Sequence, residues 1–335
     1  STLSLGTALS VTSIPLIIYT TYKIDPRNYL QRFVKLFFYI ALISIILFTI
    51  IRLFGFNSFS GIFPHLYTSF YREGQVYSYG GFLYRFVTLH SDRNCGPFGE
   101  PGQYQCVLAV ALYFTLFRPL LFKEKERMLY MIVFFFALIT TLSTSGYISL
   151  SILIFCFLLH SSRTTDKRMK KIYIAMIIGT VFFMSTTKVG SEFMNTVIFH
   201  KIYANGQLDF SLSSGGARTI SISSVLSTIY HHPITLVGVG YDELRNMGVG
   251  GCAGFLFLLL AIGIMPFSIL FGFCFYQVFK YNKGIWDIIV RILLVLNMGL
   301  GQPHIMNFAL FTMMLYPYFI ANSFKKTNTY YVRDC

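Results

Sequence analysis

Residues 128–160 read MLYMIVFFFALITTLSTSGYISLSILIFCFLLH. The run carries no Asp, Glu, Lys or Arg, and the chain on both sides of it is basic. Lys123, Lys125 and Arg127 precede it; Arg163, Lys167, Arg168, Lys170 and Lys171 follow. One bilayer crossing takes roughly 20 apolar residues. The run is too long for one crossing and barely long enough for two. Cationic flanks favour the cytoplasmic side, so matching basic flanks require an even number of crossings. The chain is therefore expected to turn near Ser143-Thr144-Ser145-Gly146, giving two helices, 128–143 and 145–160. The stretch 285–322 has the same form, with a turn expected at Gly301-Gln302-Pro303-His304.

The same reading extends outward to further apolar runs at 3–20, 35–53, 103–122, 172–187 and 252–278. The expected fold is all-α, a polytopic transmembrane helical bundle of about nine spans. It forms a single integral membrane domain over residues 1–335. Composition agrees: 55% of the residues are hydrophobic and only 12% are charged. Mean hydropathy is +0.61. The chain begins with Ser, and residues 3–20 lack the basic start of a cleavable signal. They are read as a span.

The net charge of +14 raises the possibility of a nucleic-acid partner, but the charges sit in short loops between apolar runs. That placement fits membrane topology and attraction to anionic lipid, so no nucleic acid is expected. The segments 21–36, 118–127, 161–171, 279–284 and the C-terminal tail hold 18 of the 27 lysines and arginines. These segments are assigned to the cytoplasm, with the N-terminus outside. Two long loops, about 54–102 and 188–250, then share the outer face. Loops of that length in a compact fold are functional or disordered. Within the second, 217–232 carries Ile220, Val225, Leu226 and Ile229 at near-helical spacing and stops at Pro233. It is expected to be a helix lying along the membrane surface.

Several chemistries lack their residues. There is no Walker A sequence, no DxD pair, no HExxH, no GxSxG and no CxxC. The cysteines are scattered, with Cys95 and Cys252 both in outer segments where a pair can form. No metal site and no cofactor is expected. Intramembrane acids are scarce. Asp287 is the clearest, and Arg291 stands one helical turn away, the spacing of a structural ion pair.

Arginines and histidines concentrate in the outer loops. Arg72, Arg85, Arg93, His65 and His90 lie in the first. Arg218, Arg245, His200, His231 and His232 lie in the second. A guanidinium pairs two oxygens with its planar fork and keeps its charge, which suits a diphosphate.

Three segments stand out. The first is Arg93-x-x-Gly-x-Phe-x-Glu-Pro, ending at Pro101. The second is Leu142-Ser143-Thr144-Ser145-Gly146-Tyr147. The third is Ser-Gly-x-x-Arg218, twelve residues, His231-His232-Pro233, then Gly238-Val239-Gly240. In order, spacing and outer-face location this set resembles the O-antigen polymerase and O-antigen ligase family (Wzy/WaaL type), over about residues 90–275. Two departures accompany the likeness. Thr144-Ser145 stands where the family commonly carries Arg, and no His follows the Gly-x-Gly, where ligases tend to carry one. The second departure favours polymerase over ligase.

The resemblance implies a GT-C type glycosyltransferase that uses neither metal nor nucleotide sugar. The donor would be an oligosaccharide on undecaprenyl diphosphate, and the acceptor a hydroxyl on a second lipid-linked repeat. Membrane lipids and a chain-length regulator protein are further implied partners. The enzyme would sit in the bacterial inner membrane with its site facing the periplasm. Arg93, Arg218, Arg85 and Arg245 are the candidate diphosphate ligands. His231, His232 and Glu100 are the candidate catalytic groups, with Asp242 and Glu243 as further candidates for the base. Arg218 and His232 are 14 residues apart, roughly 21 Å along a helix, too far for both to touch one diphosphate. His304 is expected to satisfy free carbonyls at the last turn. A ligase moving the glycan to a lipid core is the alternative within this chemistry. A transporter or flippase of lipid-linked sugars is the alternative outside it.

Overall fold

The stretch 128–160 is two helices in the computed structural model. Helix α4 (Glu124–Thr140) ends where α5 (Thr144–His160) is about to begin, and Leu142 between them is left-handed with φ 48°. The turn falls at 141–143, just ahead of the expected position. Residues described by the structure are 5–26, 28–59, 61–71, 74–160, 164–188, 203–204, 207–208, 223, 227, 230, 236–246, 254–281, 284–301 and 305–326.

The chain is mostly helical, and each expected apolar run is helical over most of its described residues. In chain order the remaining helices are α1 (Leu5–Ile24), α2 (Tyr29–Phe54), α3 (Pro101–Phe117), α6 (Thr164–Thr186), α7 (Tyr241–Asn246), α8 (Gly254–Ile262), α9 (Ile264–Tyr281), α10 (Ile285–Gly301) and α11 (Phe308–Lys326). Among the described residues, α2 and α9 are long and apolar enough to cross a bilayer by length and composition. Helices α3, α4, α5 and α10 have 17 residues each. That is about 25 Å at 1.5 Å per residue, against roughly 30 Å of hydrocarbon.

The chain divides into two compact units. One comprises Ile14–Leu153, Gln277–Leu294 and Met306–Cys335; the other comprises Ser1–Ser13, Ile154–Tyr276 and Val295–Ile305. In the first, α3 is the core element and packs on α2, α4 and α11. A helix that is apolar all round belongs in the interior, and Leu108 to Phe114 are fully buried. Pro101 opens α3 at a position where its missing N–H costs nothing. Pro119 closes it, because the residue before a proline is driven out of helical conformation, and Arg118 there has φ −126°, ψ 65°. Helix α4 restarts with Glu124 and Glu126 in its first turn, favourably placed against the helix dipole. Glu126 also accepts the Lys123 N–H at 3.3 Å.

The first long loop, about 54–102, is not irregular throughout. It contains an antiparallel three-stranded sheet in the order β1 (His65–Tyr71), β2 (Gly74–Gly80), β3 (Arg85–Val87). Val76, Ser78 and Gly80 point inward while Gln75, Tyr77 and Tyr79 remain more exposed, the period-two alternation of a half-buried strand. Tyr84 and Phe86 bury themselves against Ile51 of α2, with Leu47, Phe48, Phe56, Phe63 and Tyr79 around them. The Phe56 and Phe86 rings stack at 3.9 Å.

In the second unit the apolar run expected at 252–278 is broken into α8 and α9 by Gly263, with φ 85°. The segment Leu236 to Gly240 runs alongside the break. The N–H groups of Val239 and Gly240 donate to the carbonyls of Leu260 and Ala261 at 3.1 and 2.9 Å, and Met265 N–H donates to Leu236. This approach needs glycine: a Cβ on Gly238 would stand 2.4 Å from the Ala261 carbonyl carbon. The Gly238-Val239-Gly240 motif thus serves backbone packing at a helix end.

Candidate functional site

Arg93 follows a short 3-10 turn (Thr88–His90), and its N–H donates to the His90 carbonyl at 3.0 Å. Its half-buried guanidinium donates to the Leu142 carbonyl at 2.6 Å. That carbonyl belongs to the left-handed residue between α4 and α5, so Arg93 holds a turn that an L residue adopts at some cost. Two of the three segments singled out in the sequence therefore meet, although 49 residues separate Arg93 from Leu142. This is the only side-chain hydrogen bond that Arg93 makes among the described residues, and a guanidinium has donors to spare.

Asn94 fixes the loop beneath it. Its N–H donates to Thr140 O at 3.0 Å. Its Nδ2 donates to Ser44 Oγ at 3.1 Å and Thr140 Oγ1 at 3.0 Å, and its Oδ1 accepts the Gly96 N–H at 3.0 Å. Gly96 has φ 53°, and a Cβ there would meet the Tyr104 ring at 2.7 Å. Behind Asn94 the polar groups continue inward. The Ser44 and Tyr104 hydroxyls lie 2.7 Å apart. Gln105 Nε2 donates to Ser145 Oγ at 3.3 Å, and Ser149 Oγ donates to Gln105 Oε1 at 3.4 Å. All of these side chains are buried. Gly146 permits the close pairing of α5 with α3, since a Cβ there would lie 3.2 Å from Gln105 Cβ. The result is a buried polar layer contributed by α2, α3, α4 and α5, with Arg93 above it.

Glu100 and Arg85 border the same loop. Glu100 is half-buried at the N-cap of α3, but its carboxylate makes no cap bond. Arg85 N–H donates to Gly96 O at 2.6 Å. Its Nε is buried and makes no hydrogen bond among the described residues. His90 is held neutral, its pKa lowered to about 4 by burial and by the Arg93 charge, against an opposing pull from Asp92. Cys95 is a buried free thiol, pushed up to about 12 by burial.

Of the other candidates, Arg218, His231, His232, His200 and His304 lie outside the described residues, as do Cys252 and nearly all of the helix expected over 217–232. Arg245 belongs to α7, but its side chain is outside the description. Asp242 and Glu243 are exposed on the first turn of α7. Among the described residues no three His, Cys, Asp or Glu side chains group to hold a metal ion.

No family model, curated protein or solved structure matches this chain.

A second polar cluster, reached only in part from the sequence, surrounds Asp287 in the first unit. The expected Asp287–Arg291 pair is present at 3.1 Å. Arg118 joins it at 2.7 Å on the same carboxylate oxygen, and the Tyr113 hydroxyl donates to the other oxygen at 2.6 Å. Arg291 also donates to the Tyr113 oxygen. Both guanidiniums lie against the Tyr316 ring, at 5.0 and 5.3 Å. Arg127, likewise buried, donates to the carbonyls of Thr115 and Leu116 at 2.8 and 2.7 Å and so caps the end of α3. Arg118 and Arg127 count as loop cations in the sequence; Asp287 and Tyr316, which draw Arg118 inward, come from distant segments, and the carbonyls that hold Arg127 end the preceding helix. With both of its oxygens engaged, Asp287 is a fastening, not a mobile proton carrier.

Proposed function

We propose that this protein is a polysaccharide polymerase that joins oligosaccharide repeats carried on polyprenyl diphosphate. In this reading the chain crosses the bacterial inner membrane about nine times and works on its outer face. The observation that carries the reading is the Arg93–Leu142 bond. It joins two segments whose likeness to the polymerase and ligase family is otherwise a matter of sequence order, and it leaves most of the guanidinium for a ligand.

The chemistry follows from those residues. An acceptor sugar hydroxyl attacks the donor's anomeric carbon. The bond from that carbon to the diphosphate oxygen breaks, and the electron pair leaves with the polyprenyl diphosphate. Arg93, anchored on the Leu142 carbonyl, and Arg85, whose backbone is held by Gly96, meet the growing negative charge. The acceptor proton passes to a base, for which Glu100, Asp242 and Glu243 are the described candidates. The roles of Arg218 and Arg245 at the diphosphate, and of His231 or His232 as base, rest on the sequence alone. A chain-length regulator is the proposed protein partner.

The test is a gel of surface polysaccharide from a strain lacking the gene. Collapse of the ladder to one short repeat on the lipid core supports a polymerase. A ladder lost from the core but kept on the carrier lipid means a ligase. An unchanged ladder rejects both and favours a transporter or flippase.

A further inference from the structure

The turn between β2 and β3 is tipped by two apolar residues that face outward. Phe82 is 86% exposed and Leu83 46%, although the next residue, Tyr84, is buried on Ile51. The turn is closed and rigid: Gly81 N–H donates to Tyr84 O at 2.9 Å, and Gly80 N–H donates to Pro64 O at 2.9 Å. Two residues of chain reach about 7 Å, so the tip stays beside the end of α2. Ile62, just before Phe63 of the same packed cluster, is likewise 73% exposed.

We propose that this tip dips into the lipid bilayer and holds the sheet at the membrane surface. The inference rests on α2 crossing the membrane. Attachment of the sheet to the last turns of α2 identifies the occupant as lipid. Tyr39, Ile46 and Leu53 are spaced seven apart, hence on one helix face, and all three are exposed. The sheet packs on Leu47, Phe48 and Ile51, roughly 5–10 Å below the end of α2. An interfacial segment lies at that same depth. Exposed Arg52 stands on this last turn, where a cation meets anionic headgroups. The Tyr-rich strands bring amphipathic rings to the same level. The sheet carrying Arg85 is thereby held at the height of a lipid-borne diphosphate.

The experiment uses the full-length protein in vesicles. The sole tryptophan, Trp286, is replaced by Phe. Phe82→Trp is made in that background, with Leu83→Trp as a second probe and Ile46→Trp as a control for the α2 span. Acyl chains brominated near the headgroup or near their ends serve as quenchers. The expected result is blue-shifted emission from Phe82→Trp and Leu83→Trp, quenched more by the shallow bromines, with Ile46→Trp quenched by deeper ones. Water-like, unquenched emission at both tip positions, with Ile46→Trp quenched, overturns the proposal and leaves the span standing. Blue-shifted but unquenched emission means that protein covers the tip, and also overturns it. If Ile46→Trp is unquenched as well, the span itself fails and the proposal with it.

Discussion

Asp287 and Arg118 meet at 2.7 Å across 169 positions of sequence, on the carboxylate oxygen that Arg291 also holds. Arg127 and Arg291 are buried in this unit and Arg118 is half-buried, and one oxygen of Asp287 holds both Arg118 and Arg291. Asp287→Ala is therefore expected to cost about 3–5 kcal/mol, because two guanidiniums would face each other uncompensated. Thermal unfolding in detergent measures it. Adding Arg118→Met to Asp287→Ala should recover part of the loss; an additive double mutant would contradict the shared-oxygen arrangement.

Arg93→Lys tests the first long loop and the proposed function together. An ammonium keeps the charge but loses the fork that reaches Leu142 O and a ligand together. The variant should fold, with stability lowered by about 1–3 kcal/mol, and its polysaccharide ladder should shorten or vanish. Normal chain length would remove Arg93 from the diphosphate role.

Two glycines make a paired test. Gly238→Ala places a Cβ 2.4 Å from backbone, which side-chain rearrangement cannot relieve, so a loss of at least about 1–3 kcal/mol is expected. Gly272→Ala, in α9, meets nothing within 4 Å and should gain about 0.5–1 kcal/mol. Folded yield by size exclusion separates the two.

His90 predicts an acid-sensitive loop. Its pKa falls from 6.5 when unfolded to about 4 in the fold, so between those values the unfolded chain binds more protons. Stability then rises with pH across the window. The His90 contribution is complete above pH 6.5 and is lost as pH falls through about 4. His90→Gln should flatten the dependence of the unfolding midpoint over this range, while a slope equal to wild type would assign it to other groups.

The helices were legible because apolar runs and basic flanks are properties of composition. The turn after α4 was legible to within a few residues for the same reason. The break at Gly263 was not, since it sits inside an uninterrupted apolar run and depends on Leu236 to Gly240 arriving beside it. The sheet was missed although Val76, Ser78 and Gly80 alternate with Gln75, Tyr77 and Tyr79, because so short a pattern in a Tyr- and Gly-rich loop acquires meaning only against Ile51. Sequence order grouped Arg93 and the 142–147 turn in one set of segments, and their contact is seen only in the fold. It did not foretell that a left-handed Leu142 turns its carbonyl toward that guanidinium, because leucine gives no sign of a left-handed backbone.

The fastening around Asp287 also sets an order of events during synthesis. Arg118 and Arg127 leave the ribosome long before their unit is complete. Asp287 follows Arg118 by 169 residues, a delay of roughly 10–30 s at ordinary elongation rates. Through that interval Arg127 can already cap α3 through the Thr115 and Leu116 carbonyls, while Arg118 lacks the Asp287 carboxylate. Helix α10 then emerges with Asp287 and Arg291 already paired one turn apart, and its arrival closes the first-made part of the unit. The late segment acts as a keystone, so a chain cut short before residue 285 keeps the Arg127 cap of α3 but leaves Arg118 without the Asp287 carboxylate.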